Sequence, residues 1–489
     1  MLFNSIDFLI FFPIVTSIYF VIPKKLRNLW LLISSYYFYM SWNPQYVILI
    51  AVSTVITFIS ALLLETVRGK HGKKLVLAAS LVSNLAILGV FKYADFALQS
   101  LSSVASHLGL GTIDRRMDLL LPVGISFYTF QALSYTFDVY RGNIKAEKNI
   151  FRYALFVSFF PQLVAGPIER SGNLLCQIQK VREAKLWNFE RVRDGLLLMA
   201  WGLFQKLVIA DRASLLVNQV YNNYEKYGFL ELSLASVLFA FQIYCDFSGY
   251  TDVARGAAQV LGFSLTHNFR QPYFATSIKD FWRRWHISLT LWFTDYLYIP
   301  LGGSRKGIFR KYLNILIVFG VSGLWHGASW HFVAWGLIHA AYQIVGDLKY
   351  QITKSFAAGE QCAAKDSFSH KLGKAMVTFL LVDFAWVFFA ADGLRHAYHI
   401  FCQMVTAFQT TSIYEIGLDR GNWFMLIFGI LVLTIVDAVH ERGESIFVLV
   451  RRQTLWFRWV LYLGLIWCTM MFGIYGVNYD SSQFIYFRF

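Results

Sequence analysis

Long apolar stretches separated by short polar and basic segments run through the whole chain. Eleven of them read as membrane spans, at 6–22, 29–44, 46–64, 75–92, 118–138, 195–215, 229–247, 312–345, 375–391, 421–438 and 459–476. A spanning helix takes roughly 20 apolar residues. The eighth stretch is too long for one span and is expected to be broken. Two further segments fit neither a span nor a soluble helix. Residues 151–170, FRYALFVSFFPQLVAGPIER, are apolar but carry Pro161, Gly166 and Pro167, which argue against a continuous helix. Residues 278–303, IKDFWRRWHISLTLWFTDYLYIPLGG, mix aromatic rings with Lys279, Asp280, Arg283, Arg284 and Asp295. That segment is too charged to face lipid and reads as an amphipathic or re-entrant helix pair. Irregular backbone at membrane depth persists only where it is buried in protein or lines a cavity, so both segments point towards a site.

Composition agrees with this pattern. Hydrophobic residues are 57% of the 489 and charged residues 15%, against about 25% charged in soluble domains. Too little polar surface is left to wrap a soluble globule, and neither a disordered chain nor a disulfide scaffold fits. No internal repeat is visible. The expected fold is an all-α polytopic membrane protein, with residues 1–489 forming one helical domain of about eleven transmembrane helices plus re-entrant and interfacial ones. The first apolar run precedes the first lysines, Lys24 and Lys25, and no small-residue cleavage site follows it. It reads as a retained helix rather than a signal peptide.

The net charge of +15 sets orientation rather than nucleic-acid binding. Lys24, Lys25 and Arg27 follow the first span, Arg68 to Lys74 the third, and Arg141 to Arg152 the fifth. They alternate correctly if the N-terminus is external. Arg115 and Arg116, on a loop that should then be external, run against this. No nucleic-acid-binding motif accompanies the charge. The five cysteines, Cys176, Cys245, Cys362, Cys402 and Cys468, show no pairing rhythm and read as reduced thiols.

Candidate chemistry lies in three places. In ILIVFGVSGLWHGASWHFVAWGLIHA, residues 315–340, His326 stands between Gly323 and Gly327. It follows Tyr312, beside the basic cluster Arg305, Lys306, Arg310 and Lys311, by 14 residues. That is about 21 Å of helix against a hydrocarbon core of about 30 Å, which puts His326 inside the membrane. An ionisable side chain there usually faces a cavity or pathway, although a histidine satisfied by a neighbouring hydroxyl is the plainer alternative. His331 and His339 read as structural. In FWRRWHISL, residues 281–289, His286 follows Arg283 and Arg284. Either this is an interfacial aromatic and arginine belt, or the guanidinium forks meet phosphate while the histidine faces a reaction chamber. In QIYCDFSGYTDVARG, residues 242–256, Asp246, Asp252 and Arg255 interrupt an apolar helix. Asp252 and Arg255 are three apart and can pair. No Ser-His-Asp order, metal-ligand spacing or phosphate loop is visible. A buried histidine suits general-base work, but these residues alone name no substrate.

At these residues the chain resembles the membrane-bound O-acyltransferase (MBOAT) family, in particular its bacterial alginate-acetylating branch. The resemblance is carried by LLPVGISFYTFQALSYTFDVYRG, FVSFFPQLVAGPIER, QIYCDFSGYTDVARG, NFRQPYFATSIKDFWRRWHISLTLWFTDYLYIPLGGSR and LWHGASWHFVAWGLIHA, in order along nearly the full chain. Between about 340 and 420 the likeness is poor, and no function is assigned there. The resemblance implies that His326 is the intramembrane catalytic histidine and His286 the second, 40 residues before it. It implies many helices around a tunnel ending near the histidine. It also implies acetyl transfer from a cytoplasmic thioester donor, acetyl-CoA, towards an extracellular polysaccharide, with no metal. An SGNH-like or related extracytoplasmic acetyltransferase is the partner it implies, and a bacterial cell membrane the location. Arg283, Arg284, Arg305 and Lys306 are the candidates for the coenzyme phosphates, although positive-inside topology accounts for the same charges. D-alanyl transfer to teichoic acid, a transporter or flippase with a histidine proton relay, and a scaffold for polysaccharide synthesis are the competing readings. A neighbouring gene for an acyl-carrier protein favours D-alanylation, and one for an SGNH-like esterase favours acetylation.

Overall fold

A computed structural model describes residues 1–111, 117, 119–164, 166–183, 186–356 and 367–475. The described residues form helices and connecting turns, with no strand. Arg115, Arg116, Cys362 and the closing FIYFRF lie outside them. Seven of the helices are long and apolar enough to cross a membrane on those grounds alone, and Ile6–Val21 is a shorter apolar one. Each of the eleven expected stretches falls largely on a helix. The described residues group into two compact units, those of 1–199 with 250–266, and those of 200–249 with 267–475.

In the first unit, α1 (Ile6–Val21), α2 (Arg27–Met40), α3 (Val47–Thr66) and α4 (Lys70–Leu88) follow one another closely. A π-helical turn, Gly89–Tyr93, carries α4 into α5 (Ala94–His107). The next helix, α6 (Ile125–Arg141), packs against α3 and α4 and is buried at nearly every position, so it is a core helix rather than a lipid-facing one. Segment 151–170 is broken as its prolines require. Helix α7 (Ile150–Ser158) ends at Phe159, and α8 (Phe160–Leu163) restarts with Pro161 in its first turn, where a missing N–H removes no helical bond. The Phe160 N–H freed by the break donates to Ser35 Oγ of α2 at 3.1 Å. Every residue from Tyr153 to Leu163 is buried, so this irregular backbone meets protein and not lipid. Gly124, at φ +75°, passes beneath the Leu163 carbonyl, and a Cβ there would lie 2.6 Å from its oxygen. A short α9 (Leu174–Gln179) follows, then α10 (Phe189–Phe204). The expected Asp252–Arg255 pair forms in this unit at 2.9 Å.

The second unit begins where α10 runs through a π-helical segment, Gln205–Ala210, into α11 (Asp211–Asn222). Helix α12 (Phe229–Leu261) is the most enclosed of the seven apolar helices. The 278–303 segment is a broken pair, α13 (Ile278–Arg284) and α14 (Ile287–Phe293), followed by a π turn at Thr294–Tyr298. Next come α15 (Ile308–His326) and α16 (Trp330–Phe356), then α17 (Phe368–Ala390), α18 (Leu394–Thr406), α19 (Arg420–Glu441), α20 (Ile446–Arg451) and α21 (Leu455–Phe472). Stretch 312–345 is therefore two helices broken at 327–329. Of the residues of α21, Thr469 alone is buried. Its C-terminal end is held by Arg212 Nη2 on the Phe472 carbonyl at 2.6 Å and by Ile474 N–H on the Leu207 carbonyl at 3.0 Å.

Backbone contact fixes the α15–α16 hairpin. A Cβ on Gly323 would lie 2.2 Å from the Phe332 carbonyl oxygen, and one on Gly336 would lie 2.2 Å from that of Phe319. Neither carbonyl can swing aside without parting the helices. Gly336→Ala is expected to lower the unfolding midpoint of the purified protein, since overpacking costs typically 1–3 kcal/mol. An unchanged midpoint in a thermal melt would show that the helices yield more easily than the geometry implies.

Candidate active site

His326 is the last residue of α15. Gly327 leaves the helix with extended backbone, at φ −163°, and α16 starts three residues later. The side chain is 3% exposed. Trp325, Trp335 and Phe389 surround its ring at centroid distances of 5.0, 5.1 and 5.3 Å. A Cβ on Gly327 would strike the Phe332 ring at 2.1 Å, so the glycine after the histidine is what lets α16 fold back here.

His286 joins α13 to α14 in the left-handed region, at φ +42°, a sparsely populated conformation for a residue with a Cβ. It is held there from outside its own helices. Asn268 accepts from Ile287 N–H at 3.0 Å through its carbonyl and from Ser288 N–H at 3.2 Å through its side chain. Arg270 N–H donates to the Arg284 carbonyl at 2.9 Å. The imidazole is fully buried, with Phe247 of α12 at 4.7 Å, Trp325 at 5.8 Å and His326 at 6.4 Å. The two histidines, 40 residues apart in the chain, thus share one aromatic chamber.

His339 lies one ring further out. Trp335 stands between it and His326, at 5.2 and 5.1 Å, and Trp282 Nε1–H donates to His339 Nδ1 at 3.3 Å. That bond places the His339 proton on Nε2. His331 meets Ser329 Oγ through Nδ1 at 2.8 Å, beside the break. Both are packed in, as a structural role requires.

The basic candidates separate. Arg284 is engaged by carboxylates: Nε meets Asp280 at 3.0 Å, while Nη1 and Nη2 grip Glu441 at 2.5 and 3.1 Å. Arg283 is exposed. Arg305 and Lys306 are exposed on the loop before α15, at the opposite end of that helix from His326. Nineteen residues make that about 28 Å. Lys311 Nζ on Asp347 at 2.6 Å ties the basic end of α15 to α16.

An ion cluster not expected from the sequence reading stands beside the chamber. Lys206 Nζ lies 2.8 Å from Asp211 Oδ1 and 2.6 Å from Asp246 Oδ1, with all three side chains no more than 5% exposed. Asp246 immediately precedes Phe247, the ring packed on His286. Two more carboxylates, Asp383 half-buried and Asp437 buried, pin α12: Ser236 Oγ donates to Asp383 of α17 at 2.9 Å, and the Tyr244 hydroxyl to Asp437 of α19 at 3.0 Å. Among the described residues, no group of three or more His, Cys, Asp or Glu side chains is arranged to hold a metal.

Ionisable side chains enclosed among apolar helices are the mark of a polytopic membrane protein with a polar interior. The chain belongs to the membrane-bound O-acyltransferase family, whose sequence profile matches residues 145–369 and so covers both histidines. It is 35% identical to the "Probable alginate O-acetylase AlgI" of Pseudomonas aeruginosa, over 88% of this chain and 80% of that one. It is 34% identical to a peptidoglycan O-acetyltransferase of Helicobacter pylori, over 83% of this chain and 78% of that one. To a teichoic acid D-alanyltransferase of Bacillus subtilis it is 27% identical, over 46% and 58%. The protein is an O-acyltransferase and a multi-pass protein of the bacterial inner membrane.

Proposed function

We propose that the protein takes an acetyl group from acetyl-CoA on the cytoplasmic side and delivers it for O-acetylation of an extracellular polysaccharide, with His326 as general base. The observation that carries this reading is the pair of enclosed imidazoles, 6.4 Å apart, at the break between α15 and α16. Neutral His326 takes the proton of an acceptor hydroxyl as that oxygen attacks the thioester carbonyl. The C–S bond then breaks, and the imidazolium returns the proton to the departing thiolate. His286 orients the thioester against this centre. The chamber walls exclude water, which would otherwise hydrolyse the donor.

The acetylating relatives support acetyl over D-alanyl transfer, because they match over far more of the chain. The names of those relatives support a polymer acceptor, alginate or another polysaccharide. An SGNH-like extracytoplasmic partner completes transfer to the sugar. The basic loops at Lys24–Arg27, Arg68–Lys74 and Arg305–Lys311 are cytoplasmic. Arg305 and Lys306 then stand at the donor's entrance and suit its phosphates. Arg283 is free to join a donor nearer the chamber, whereas Arg284, gripped by Asp280 and Glu441, serves to hold α13.

Acetyl-labelled coenzyme A supplied to inside-out vesicles containing the protein, its extracytoplasmic partner and polymer should yield alkali-labile label on the polymer. Sealed right-side-out vesicles should yield none. Labelling in both orientations, or only in the right-side-out one, overturns the sidedness. Labelling that needs a D-alanyl carrier protein in place of coenzyme A overturns the donor.

A further inference from the structure

The first unit holds a guanidinium where an apolar helix pair has no evident use for one. Arg27, at the start of α2, is 7% exposed. Among the described residues no carboxylate pairs with it, and its Nε and Nη1 are buried without a hydrogen-bond partner. Its one close neighbour of note is the Tyr19 ring of α1, 5.9 Å from the guanidinium carbon. Tyr19 is itself fully buried, and its hydroxyl has no hydrogen-bond partner. Trp30 Nε1–H on the Val15 carbonyl, at 3.0 Å, fixes α1 on α2, and Asn28 Nδ2 on the Ile178 carbonyl, at 3.2 Å, fixes the end of α9 beside them. The corner is therefore built rather than frayed.

Basic side chains outnumber acidic ones around it. Arg191 of α10 and Arg27 both act on the Tyr19 phenol as positive charges. Lys24, Lys25, Lys180 and Arg182 are exposed on the flanking segments. The carboxylates in the same stretches, Glu183 and Glu190, are exposed too. Burying a guanidinium without acceptors is strongly unfavourable, and a planar fork with free N–H groups matches phosphate oxygens. A hydroxyl donor alongside adds a third bond of the same kind.

We propose that Arg27 and Tyr19 form a binding site for a phosphate ester, distinct from the histidine chamber and independent of the acetyl-transfer reading. Arg27 Nε and Nη1 and the Tyr19 hydroxyl donate to the phosphate oxygens, and the surrounding lysines and arginines raise the local anion concentration. A phospholipid headgroup and the phosphates of a coenzyme share this chemistry. Trp187, 81% exposed and stacked on Phe20 at 5.2 Å, puts an interfacial aromatic at the same corner, which suits a headgroup.

The test uses the full-length protein purified in detergent, as wild type, Arg27→Gln and Tyr19→Phe. Thermal midpoints are followed against phosphatidylglycerol, against diacylglycerol with the same chains but no phosphate, and against coenzyme A. Wild type should be stabilised by a phosphate-bearing ligand and not by diacylglycerol. Arg27→Gln should weaken the apparent affinity about tenfold or more, as loss of hydrogen bonds from a charged group does. Tyr19→Phe, which keeps the ring, should weaken it less and decides the matter if Arg27→Gln does not fold. A response to phosphatidylglycerol alone assigns a headgroup, and a response to coenzyme A assigns a coenzyme. No response in wild type, or equal responses in wild type and the variants that fold, overturns the site.

Discussion

Replacing His326 by alanine should abolish detectable acyl transfer while the protein still inserts and folds. A general base contributes typically 10²–10⁴-fold, and no second imidazole can stand in from the same position, because His286 is fixed by Asn268 on the far side of the chamber. The loss of ring packing against Trp335 and Phe389 also matters. For that reason His326→Gln, which fills more of the space but cannot act as a base, belongs beside it. Both variants should be equally inactive. His339→Ala is a poor control, since His339 packs on Trp335 within the same aromatic cluster, whereas exposed His71 serves well. Well-expressed His326→Gln protein with near-normal acetylation of the polymer would falsify the general-base role.

Lys206→Met should be the most damaging of the substitutions outside the chamber. It leaves Asp211 and Asp246 buried and facing one another without their shared cation. Breaking a buried ion pair by removing one partner costs about 3–5 kcal/mol. Asp246→Asn leaves Lys206 paired one-to-one with Asp211 and should cost far less. The order of unfolding midpoints in detergent is therefore wild type, Asp246→Asn, then Lys206→Met well below. If Lys206→Met melts with the wild type, the three groups are not held as ions and the argument fails. Activity should fall with stability here, because Asp246 anchors the turn of α12 that presents Phe247 to His286.

The features that the sequence made legible are those with a local cause. Glycines flank His326, and the long apolar stretch breaks at that histidine. Pro161 and its neighbours interrupt an apolar run, and the helix breaks there. Asp252 and Arg255 are three apart, and they pair. What was hidden depends on segments distant in the chain. Nothing in FWRRWHISL says that Arg284 meets Glu441, 157 residues away, so its fork read equally well as a phosphate clamp. The ion cluster was hidden for a subtler reason. Lys206 and Asp211 are five apart, about 140° around an α-helix, and so read as lying on different faces. The winding of Gln205–Ala210 is π-helical, with i→i+5 bonding, and that brings the two onto one side of the helix. The lone lysine in AWGLFQKLVIADR was the available signal. The side-by-side placement of His286 and His326 likewise needs the left-handed turn between α13 and α14, which no local pattern announces.

The grip on one end of α21 decides where this molecule can adapt to its bilayer. Eighteen residues make about 27 Å of helix, slightly less than a hydrocarbon core of about 30 Å. Membranes differ in thickness, and a helix answers the difference by tilting or by drawing the lipid in. With Phe472 held by Arg212 of α11 and Ile474 by Leu207 of the π-helical segment, any tilt pivots there, and the displacement grows towards Leu455. The end of α21 nearest Lys206 is then the still point of the motion, and a change of lipid solvent is absorbed at the far end of the helix.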